Sequence, residues 1–160
     1  MNDEWYTPEW VTEAARSCFG GSIDLDPASC DKANTKVKAK EIYTKEEDGL
    51  SKPWAGNVFL NPPFSDVTPW VDKCCSVRGG GSVILITHSN TDVKWWQKAA
   101  KSCDSLAMPS GRVKFVRPDF TIGTRPKKGV TVFLFSQDKA IRSRFNKVFK
   151  EFGVTLIVRD

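Results

Sequence analysis

The sequence has little of what builds a metal centre or a disulfide framework. Its 160 residues include one histidine and five cysteines, at positions 18, 30, 74, 75 and 103, and none of the cysteines stand in paired CxxC spacing. An odd, unpaired set of this kind argues against zinc ligation and disulfides, and favours a reducing compartment. We therefore predict no metal site and a cytoplasmic location in a bacterial host cell.

Long apolar runs are also missing. No stretch approaches the roughly 20 apolar residues that a membrane-spanning helix needs. The first ten residues, MNDEWYTPEW, are acidic and aromatic, so neither a signal nor a transit peptide is expected there. Apolar residues make up 40% of the chain, which is enough for a core and unlike a disordered protein. We predict a single domain over residues 1–160, without a separate target-recognition domain.

Positive charge is in excess and is unevenly distributed. The net charge is +5 and the pI is near 9.0. Residues 1–31 are acidic on balance, whereas basic residues concentrate in 112–150. Such a segment suits a polyanion such as nucleic acid, although an ordinary solvated surface would have a similar composition. The basic residues of this segment are Arg112, Lys114, Arg117, Arg125, Lys127, Lys128, Lys139, Arg142, Arg144, Lys147 and Lys150.

Helical and strand patterns alternate along the chain. Helices are predicted over residues 9–18, 67–77, 93–103 and 140–152. Strands are predicted over 22–26, 56–60, 82–87, 129–136 and 154–158, with short strands at 105–108 and 113–116. Residues 33–43 fit either a loop or a short helix. This alternation predicts an α/β fold with a mostly parallel central sheet and an antiparallel edge strand, the last two strands lying at the edge.

The most informative motif is the tetrapeptide Asn61-Pro62-Pro63-Phe64, which follows the apolar run 58–60. The Asn61 side-chain carbonyl and the Pro62 backbone carbonyl can accept both protons of a conjugated amine, which localises the nitrogen lone pair for attack. The proline pair makes a rigid corner, and Phe64 offers a face for a flat group. The alternative is a plain turn, because Asn-Pro commonly opens turns. The position after a strand favours a site for methyl transfer, without a proton-abstracting base.

The block Asp24-Leu25-Asp26-Pro27-Ala28 closes the first predicted strand. A carboxylate at a strand end can accept hydrogen bonds from the ammonium or hydroxyl groups of a cofactor. An isolated Asp-Pro is more often a cap or a turn. This block therefore indicates a cofactor site only in combination with the other motifs.

Two further blocks fit the same site. Tyr6, Thr7 and Pro8 could place a ring and a hydroxyl against a cofactor, or could simply begin a helix with Thr7 as its cap. Asp48, in the acidic run that ends at Leu50, could accept from an adenine amino group, or could belong to a solvated loop.

Together these blocks resemble the phage-type Dam-like DNA adenine-N6 methyltransferases, an S-adenosylmethionine-dependent family. The resemblance runs from about Trp5 to Phe135, and the order of six separated blocks is more specific than any single block. The blocks are W-Y-T-P at 5–8, D-L-D-P-A at 24–28, Y-T-K-E-E-D-G-L at 43–50, P-W-A-G-N-V-F-L-N-P-P-F at 53–64, T-D-V-K-W-W at 91–96 and G-R-V-K-F at 111–115.

The resemblance implies a single-domain Rossmann-like methyltransferase fold, S-adenosylmethionine as cofactor and a flipped-out adenine as target. It implies a catalytic role for Asn61, Pro62, Pro63 and Phe64. Cofactor contacts are implied for Tyr6, Thr7, Pro8, Asp24, Asp26, Pro27, Ala28, Asp48, Leu50 and Asn61. The wider superfamily has a glycine-rich turn where this chain has Ser29-Cys30-Asp31, and Asn34 is only a candidate for holding the cofactor ribose.

DNA contacts are predicted for His88 and Asn90, after the buried strand, and for Arg112, Lys114 and Arg117 in the basic segment. His88 is expected to be a hydrogen bonder rather than a catalytic base. A chain this short has little room for base reading, so we expect short or relaxed specificity on double-stranded and possibly single-stranded DNA. The alternatives are a methyltransferase for RNA or for protein glutamine, and an inactive DNA-binding relative. A phage or prophage origin is expected, with protection from restriction or regulation as the role.

Overall fold

The computed structural model describes residues 4–77, 79–124 and 126–159, and within these ranges the chain forms one mixed sheet flanked by helices. The strands are β1 (Ile23–Asp26), β2 (Ala39–Ile42), β3 (Gly56–Leu60), β4 (Gly81–His88), β5 (Ser105–Pro109), β6 (Val130–Phe135) and β7 (Gly153–Ile157). The helices are α1 (Glu9–Cys18), α2 (Asp31–Val37), α3 (Thr68–Val77), α4 (Lys94–Ser102) and α5 (Lys139–Lys150), with a short 3-10 helix at Gly49–Ser51.

The strand order is β2-β1-β3-β4-β6-β5-β7. The first four strands in this order are parallel, whereas β6 is antiparallel to both β4 and β5, and β7 is antiparallel to β5. The α/β class is confirmed, and β7 is the antiparallel edge strand. The prediction that both last strands lie at the edge is wrong for β6. All six residues of β6 are buried, which suits an interior strand covered on both faces.

Two regions of the sequence differ from their predicted structure. Residues 33–43, which fitted either a loop or a short helix, contain the end of α2 and the whole of β2. Residues 113–116 do not form a regular strand. Val116 makes only isolated antiparallel bridges, to Tyr6 and to Ile122.

The core consists of two layers, one on each face of the sheet. Helices α1 and α5 pack against each other on one face, and α3 and α4 on the other. Neighbouring residues of β4 alternate between the layers, because strand side chains point to opposite faces: Ile84 joins the first layer, and Val83 and Leu85 the second. Within the described ranges, no helix is long and apolar enough to cross a membrane.

This topology determines where polar residues can meet. Strands β1, β3 and β4 are parallel neighbours, with Leu25 opposite Val58 and Leu60 opposite Leu85. Their carboxyl ends therefore lie at one edge of the sheet, which is where ligands bind in open α/β sheets.

Candidate active site

The catalytic corner predicted from the sequence lies directly after β3. Leu60 and Pro62 are buried, which anchors the corner in the fold, while Asn61 is half-buried. The Asn61 side-chain nitrogen Nδ2 donates a hydrogen bond of 2.9 Å to the backbone carbonyl of Trp5. This bond engages the nitrogen of the amide and not its oxygen. The Asp66 N–H donates to the Pro63 carbonyl at 3.3 Å and closes the turn.

An aromatic cluster lies beside this corner. The ring centroids of Phe64 and His88 are 4.1 Å apart, and Phe115 contacts Phe64 edge-on with centroids 5.5 Å apart. Burial, and then the charge of Lys128, lowers the pKa of His88, so its imidazole is neutral at pH 7. A neutral ring packed on Phe64 fits the expectation that His88 is not the catalytic base.

The sequence reasoning missed Phe115 as part of this cluster. The signal was present as an alternation: Arg112 and Lys114 are exposed, whereas Val113 and Phe115 are buried. Such alternation is typical of an extended segment with one face on the core. The segment thus presents its cations to solvent and its aromatic ring to the corner.

A buried carboxylate ends β1. Asp26 is 3% exposed, and its Oδ1 accepts a 3.2 Å hydrogen bond from the Ala28 N–H. Burial raises the pKa of Asp26 to about 7, while the bonds from Ala28 and the Ser29 hydroxyl oppose that rise. The backbone carbonyl of Asp26 accepts from the Tyr43 N–H at 3.0 Å, which ties the end of β1 to the end of β2. The carboxyl group therefore stands close to the balance between its neutral and ionised forms at neutral pH.

The predicted adenine-binding block packs onto the same turn. A Cβ added at Gly49 would lie 1.9 Å from the Pro27 carbonyl oxygen, so only glycine permits this approach. The Trp54 indole N–H donates to the Gly49 carbonyl at 2.8 Å. Asp48 has a left-handed backbone (φ 53°), and its side chain accepts from the Leu50 N–H at 3.3 Å. The Asp48–Leu50 block and the Asp26–Ala28 block are thus brought together.

Residues 5–8, which we call the N-terminal strap, run along the mouth of the site. The Tyr6 hydroxyl lies 3.5 Å from Cys30 Sγ, and burial is the main cause of its raised pKa. Thr7 and Pro8 are buried, and Pro8 precedes the first residue of α1. A cavity of about 460 Å³ opens beside the strap, with Tyr6, Thr7, Val116 and Phe120 among its lining residues. Asp26, Asp48 and Asn61 are not among the residues that line this cavity.

The comparison with known families agrees with this geometry. The family model described as Dam, DNA N-6-adenine-methyltransferase, matches residues 1–151. The chain belongs to the Dam family. It is thus, in general terms, a DNA adenine-N6 methyltransferase, and a DNA methyltransferase acts on DNA. No curated protein matches the chain in a sequence comparison. Within the described parts of this Dam-family chain, no group of three or more His, Cys, Asp or Glu side chains could hold a metal ion.

Two residues with predicted cofactor roles are bonded within the fold of this Dam chain. The Asp24 carboxylate accepts from the Asn57 N–H at 2.8 Å and from Lys40 Nζ at 2.9 Å. The Asn34 side chain both donates to the Ala39 carbonyl and accepts from the Ala39 N–H, at 3.1 and 2.8 Å. These contacts join strands and end a helix, and they give no support to a cofactor role for either side chain.

The predicted DNA-binding residues divide into two groups. His88 is half-buried at the end of β4, and Asn90, Arg112 and Lys114 are half-buried or exposed on the segments that follow β4 and β5. Arg117 instead donates to Thr121 Oγ1 and the Ile122 carbonyl at 3.4 Å each, and its guanidinium lies 5.7 Å from the centroid of the Trp5 ring.

The remaining basic residues also have different environments. Arg144 on α5 donates to the Cys18 carbonyl at 2.8 Å, which is a bond between two helices. Arg125 lies outside the described residues. The parts of the basic segment therefore have different surroundings: Phe115, next to Lys114, contacts Phe64 of the corner, and the last part is the helix α5.

Proposed function

We propose that this chain transfers a methyl group from S-adenosylmethionine to the exocyclic nitrogen of an adenine that is flipped out of DNA. One observation carries the proposal. The Asn61 amide at the end of β3 is bonded through its nitrogen to Trp5, so its oxygen is the end that can accept from a substrate amine. Phe64 lies beside it with an aromatic ring.

The residues at this edge of the sheet fit the cofactor that the family implies. The cofactor carries an ammonium group and ribose hydroxyls, and the buried carboxyl of Asp26 would accept hydrogen bonds from groups of this kind. Burial opposes the ionised form of this carboxyl, and the ammonium group of the cofactor would favour it. When bound, S-adenosylmethionine supplies a methyl group on a positively charged sulfur, which is the electrophile of the reaction. Tyr6, Thr7, Pro27, Asp48 and Leu50 lie on the segments around Asp26 and complete the proposed cofactor site.

The chain would activate the nucleophile by accepting hydrogen bonds from its N–H groups and not by removing a proton. As the nitrogen–methyl bond forms, the sulfur–methyl bond would break and leave a neutral thioether, and the methylated amine would then lose one proton to water. The adenine amino nitrogen is a poor nucleophile because its lone pair is delocalised into the ring. Asn61 Oδ1 and the Pro62 carbonyl would accept one hydrogen bond each from that amine, which favours a tetrahedral nitrogen with a localised lone pair. Phe64 would stack on the base. Most of the rate enhancement would then come from positioning.

The target base must leave the duplex, at a cost of roughly a few kcal/mol. We propose that the exposed cations Arg112 and Lys114, together with Asn90, contact the DNA strand near the corner. Phosphate contacts of this kind carry no sequence information. The enzyme is expected to show relaxed specificity, with a preference of at most about two to four bases, on double-stranded and also on single-stranded DNA.

Nucleoside mass spectrometry tests this proposal. DNA and RNA are incubated separately with the protein and S-adenosylmethionine and then digested; N6-methyladenine is expected in the DNA. Methylation of RNA alone, or of neither nucleic acid, would contradict the proposal. Oligonucleotides that vary only around the adenine report the specificity, and modification of a single long site would refute the relaxed preference.

A pair of asparagine variants tests the role of the corner. Asn61→Ala is expected to lower kcat by about 10²- to 10³-fold, because the acceptor for the amine is lost. Cofactor binding, measured by calorimetry, should be largely retained. Asn57→Ala on the same strand is the matched control, since among the described residues its side chain donates a 3.4 Å bond to the Phe19 carbonyl. Near-normal turnover of Asn61→Ala would show that the corner has been wrongly assigned.

A further inference from the structure

The orientation of the Asn61 amide depends on a residue far away in the sequence. An asparagine side chain can rotate so that its oxygen and nitrogen exchange places. Only the orientation that turns the oxygen toward the substrate can accept a hydrogen bond from an amine. The Trp5 backbone carbonyl has no proton to donate. It can therefore face only the nitrogen of the Asn61 amide, which it does at 2.9 Å. This contact selects the orientation that catalysis needs.

The strap that carries the Trp5 carbonyl is itself held by residues 113–124, which we call the hairpin. The Tyr6 N–H donates to the Val116 carbonyl at 2.7 Å, and the Val116 N–H donates back to the Tyr6 carbonyl at 2.9 Å. This reciprocal pair of backbone hydrogen bonds fixes the position of the strap relative to the hairpin. It involves the residue directly after Trp5, so the Trp5 carbonyl has little freedom to move.

The indole of Trp5 provides a second attachment. A Cβ added at Gly123 would lie 2.9 Å from Trp5 Cζ3 and 3.0 Å from the Phe115 carbonyl, so the ring packs closely on this glycine. The guanidinium of Arg117 lies 5.7 Å from the centroid of the same ring. Backbone and side chain together clamp the strap between the hairpin and Asn61.

We propose that Trp5 is a positioning residue, whose backbone carbonyl fixes the Asn61 amide oxygen toward the target amine, and that the hairpin holds Trp5 in place for this purpose. The proposal rests on the proposed function, because it assigns the acceptor oxygen of the same site. It adds that an acceptor at position 61 is not sufficient: the residue there must also donate to the strap.

Asn61→Asp separates these two requirements. The carboxylate still offers acceptors to the amine, but it cannot donate to the Trp5 carbonyl, and the two oxygens repel each other. We expect kcat at pH 8 to fall by at least about 100-fold at saturating cofactor. The protonated carboxyl group can donate again, so the ratio of variant to wild-type kcat should rise by about tenfold for each pH unit that the pH falls. A ratio that is close to one, or that does not change between pH 6 and 9, would overturn the proposal.

Gly123→Ala tests the hold of the hairpin on the strap. The added methyl group must displace the Trp5 ring or the Phe115 backbone. We expect kcat at saturating cofactor to fall by about tenfold. Gly80→Ala is the matched control, because its Cβ would lie an ordinary 3.5 Å from the Val77 carbonyl. Equal activity of the two glycine variants would contradict the role of the hairpin.

A spectroscopic readout makes the test independent of turnover. In the ¹⁵N–¹H spectrum of the cofactor-free protein, the Asn61 side-chain NH₂ signals should shift in Gly123→Ala and stay unchanged in Gly80→Ala. Unchanged signals in both variants would refute the clamp. Failure of the proposed function is distinguishable from these outcomes, since it would appear as a wild-type protein that methylates no DNA.

Discussion

The two ends of β1 carry carboxyl groups in opposite electrostatic states. Asp24, near the start of the strand, accepts from a backbone N–H and from a lysine, and these bonds lower its pKa. Asp26, at the end of the strand, is 3% exposed, and burial raises its pKa to about 7. Two aspartates that lie two positions apart on one strand therefore have different electrostatic environments. Hydrogen bonds stabilise the ionised form of Asp24, whereas burial destabilises the ionised form of Asp26.

The same contrast extends across the sheet. At the amino end of β4, the Ser82 and Ser136 hydroxyls are 2.6 Å apart, and the Ser136 N–H donates to the Asp104 carboxylate at 2.8 Å. These polar groups hold elements of the fold together. At the carboxyl end, Asn61 uses only the nitrogen end of its amide in its bond to the strap. These contacts at the amino end of the sheet serve stability, whereas the proposed function uses Asn61 and Asp26 at the carboxyl end.

Among the substitutions that compare the two ends of β1, replacing Asp26 should give the largest effect on cofactor affinity. Asp26→Asn removes the charge and keeps the shape. The affinity for S-adenosylmethionine is expected to fall by about 10- to 100-fold, because a charge-assisted hydrogen bond is lost. Calorimetry with the cofactor alone measures this effect. Unchanged affinity would show that the buried carboxyl does not face the cofactor.

The pH dependence of Asp26 sharpens this prediction. Cofactor affinity of the wild type should increase from pH 6 to pH 8, as the group ionises through its pKa of about 7, and should be flat in Asp26→Asn.

Stability of the cofactor-free wild type should change in the opposite direction. The folded pKa lies above the unfolded value of 3.8, so the folded state binds more protons in this window, and stability is lost as the pH rises from about 4 to 7. Thermal unfolding at a series of pH values measures the loss, which the asparagine variant should lack.

The basic residues allow a similar comparison between the segment near the corner and α5. The double variant Arg112→Ala/Lys114→Ala is expected to weaken DNA binding by about tenfold at moderate salt, and to reduce the slope of log K against log salt concentration by about two. Lys147→Ala/Lys150→Ala removes the same number of exposed charges from α5 and should change both quantities much less. Fluorescence anisotropy over a range of salt concentrations measures both. Equal effects of the two double variants would mean that DNA covers α5 as well.

The sequence predicted those features that depend on local patterns. The corner at Asn61 follows β3 and the carboxyl at Asp26 ends β1, and parallel strands end at one edge. The interior position of β6 could not be predicted in this way, because strand order depends on pairing between distant segments. The contact between Asn61 and Trp5 joins residues 56 positions apart. The distinction between Asp24 and Asp26 has the same origin: the N–H that Asp24 binds belongs to Asn57, on the neighbouring strand.

Asp24 provides the smallest expected effect and the most direct test of the comparison. Asp24→Asn keeps an acceptor for the Asn57 N–H but loses the charge, so it should destabilise the protein by about 1 kcal/mol, given that the side chain is partly exposed. Its lowered pKa means that this stabilisation is present above the ordinary value of 3.8 and is lost as the pH falls below it. Chemical denaturation at pH 7 and pH 3 should therefore show a larger difference from wild type at pH 7 than at pH 3. If cofactor affinity fell instead, with stability unchanged, Asp24 would belong to the ligand site, and the division of β1 into a structural and a functional end would be wrong.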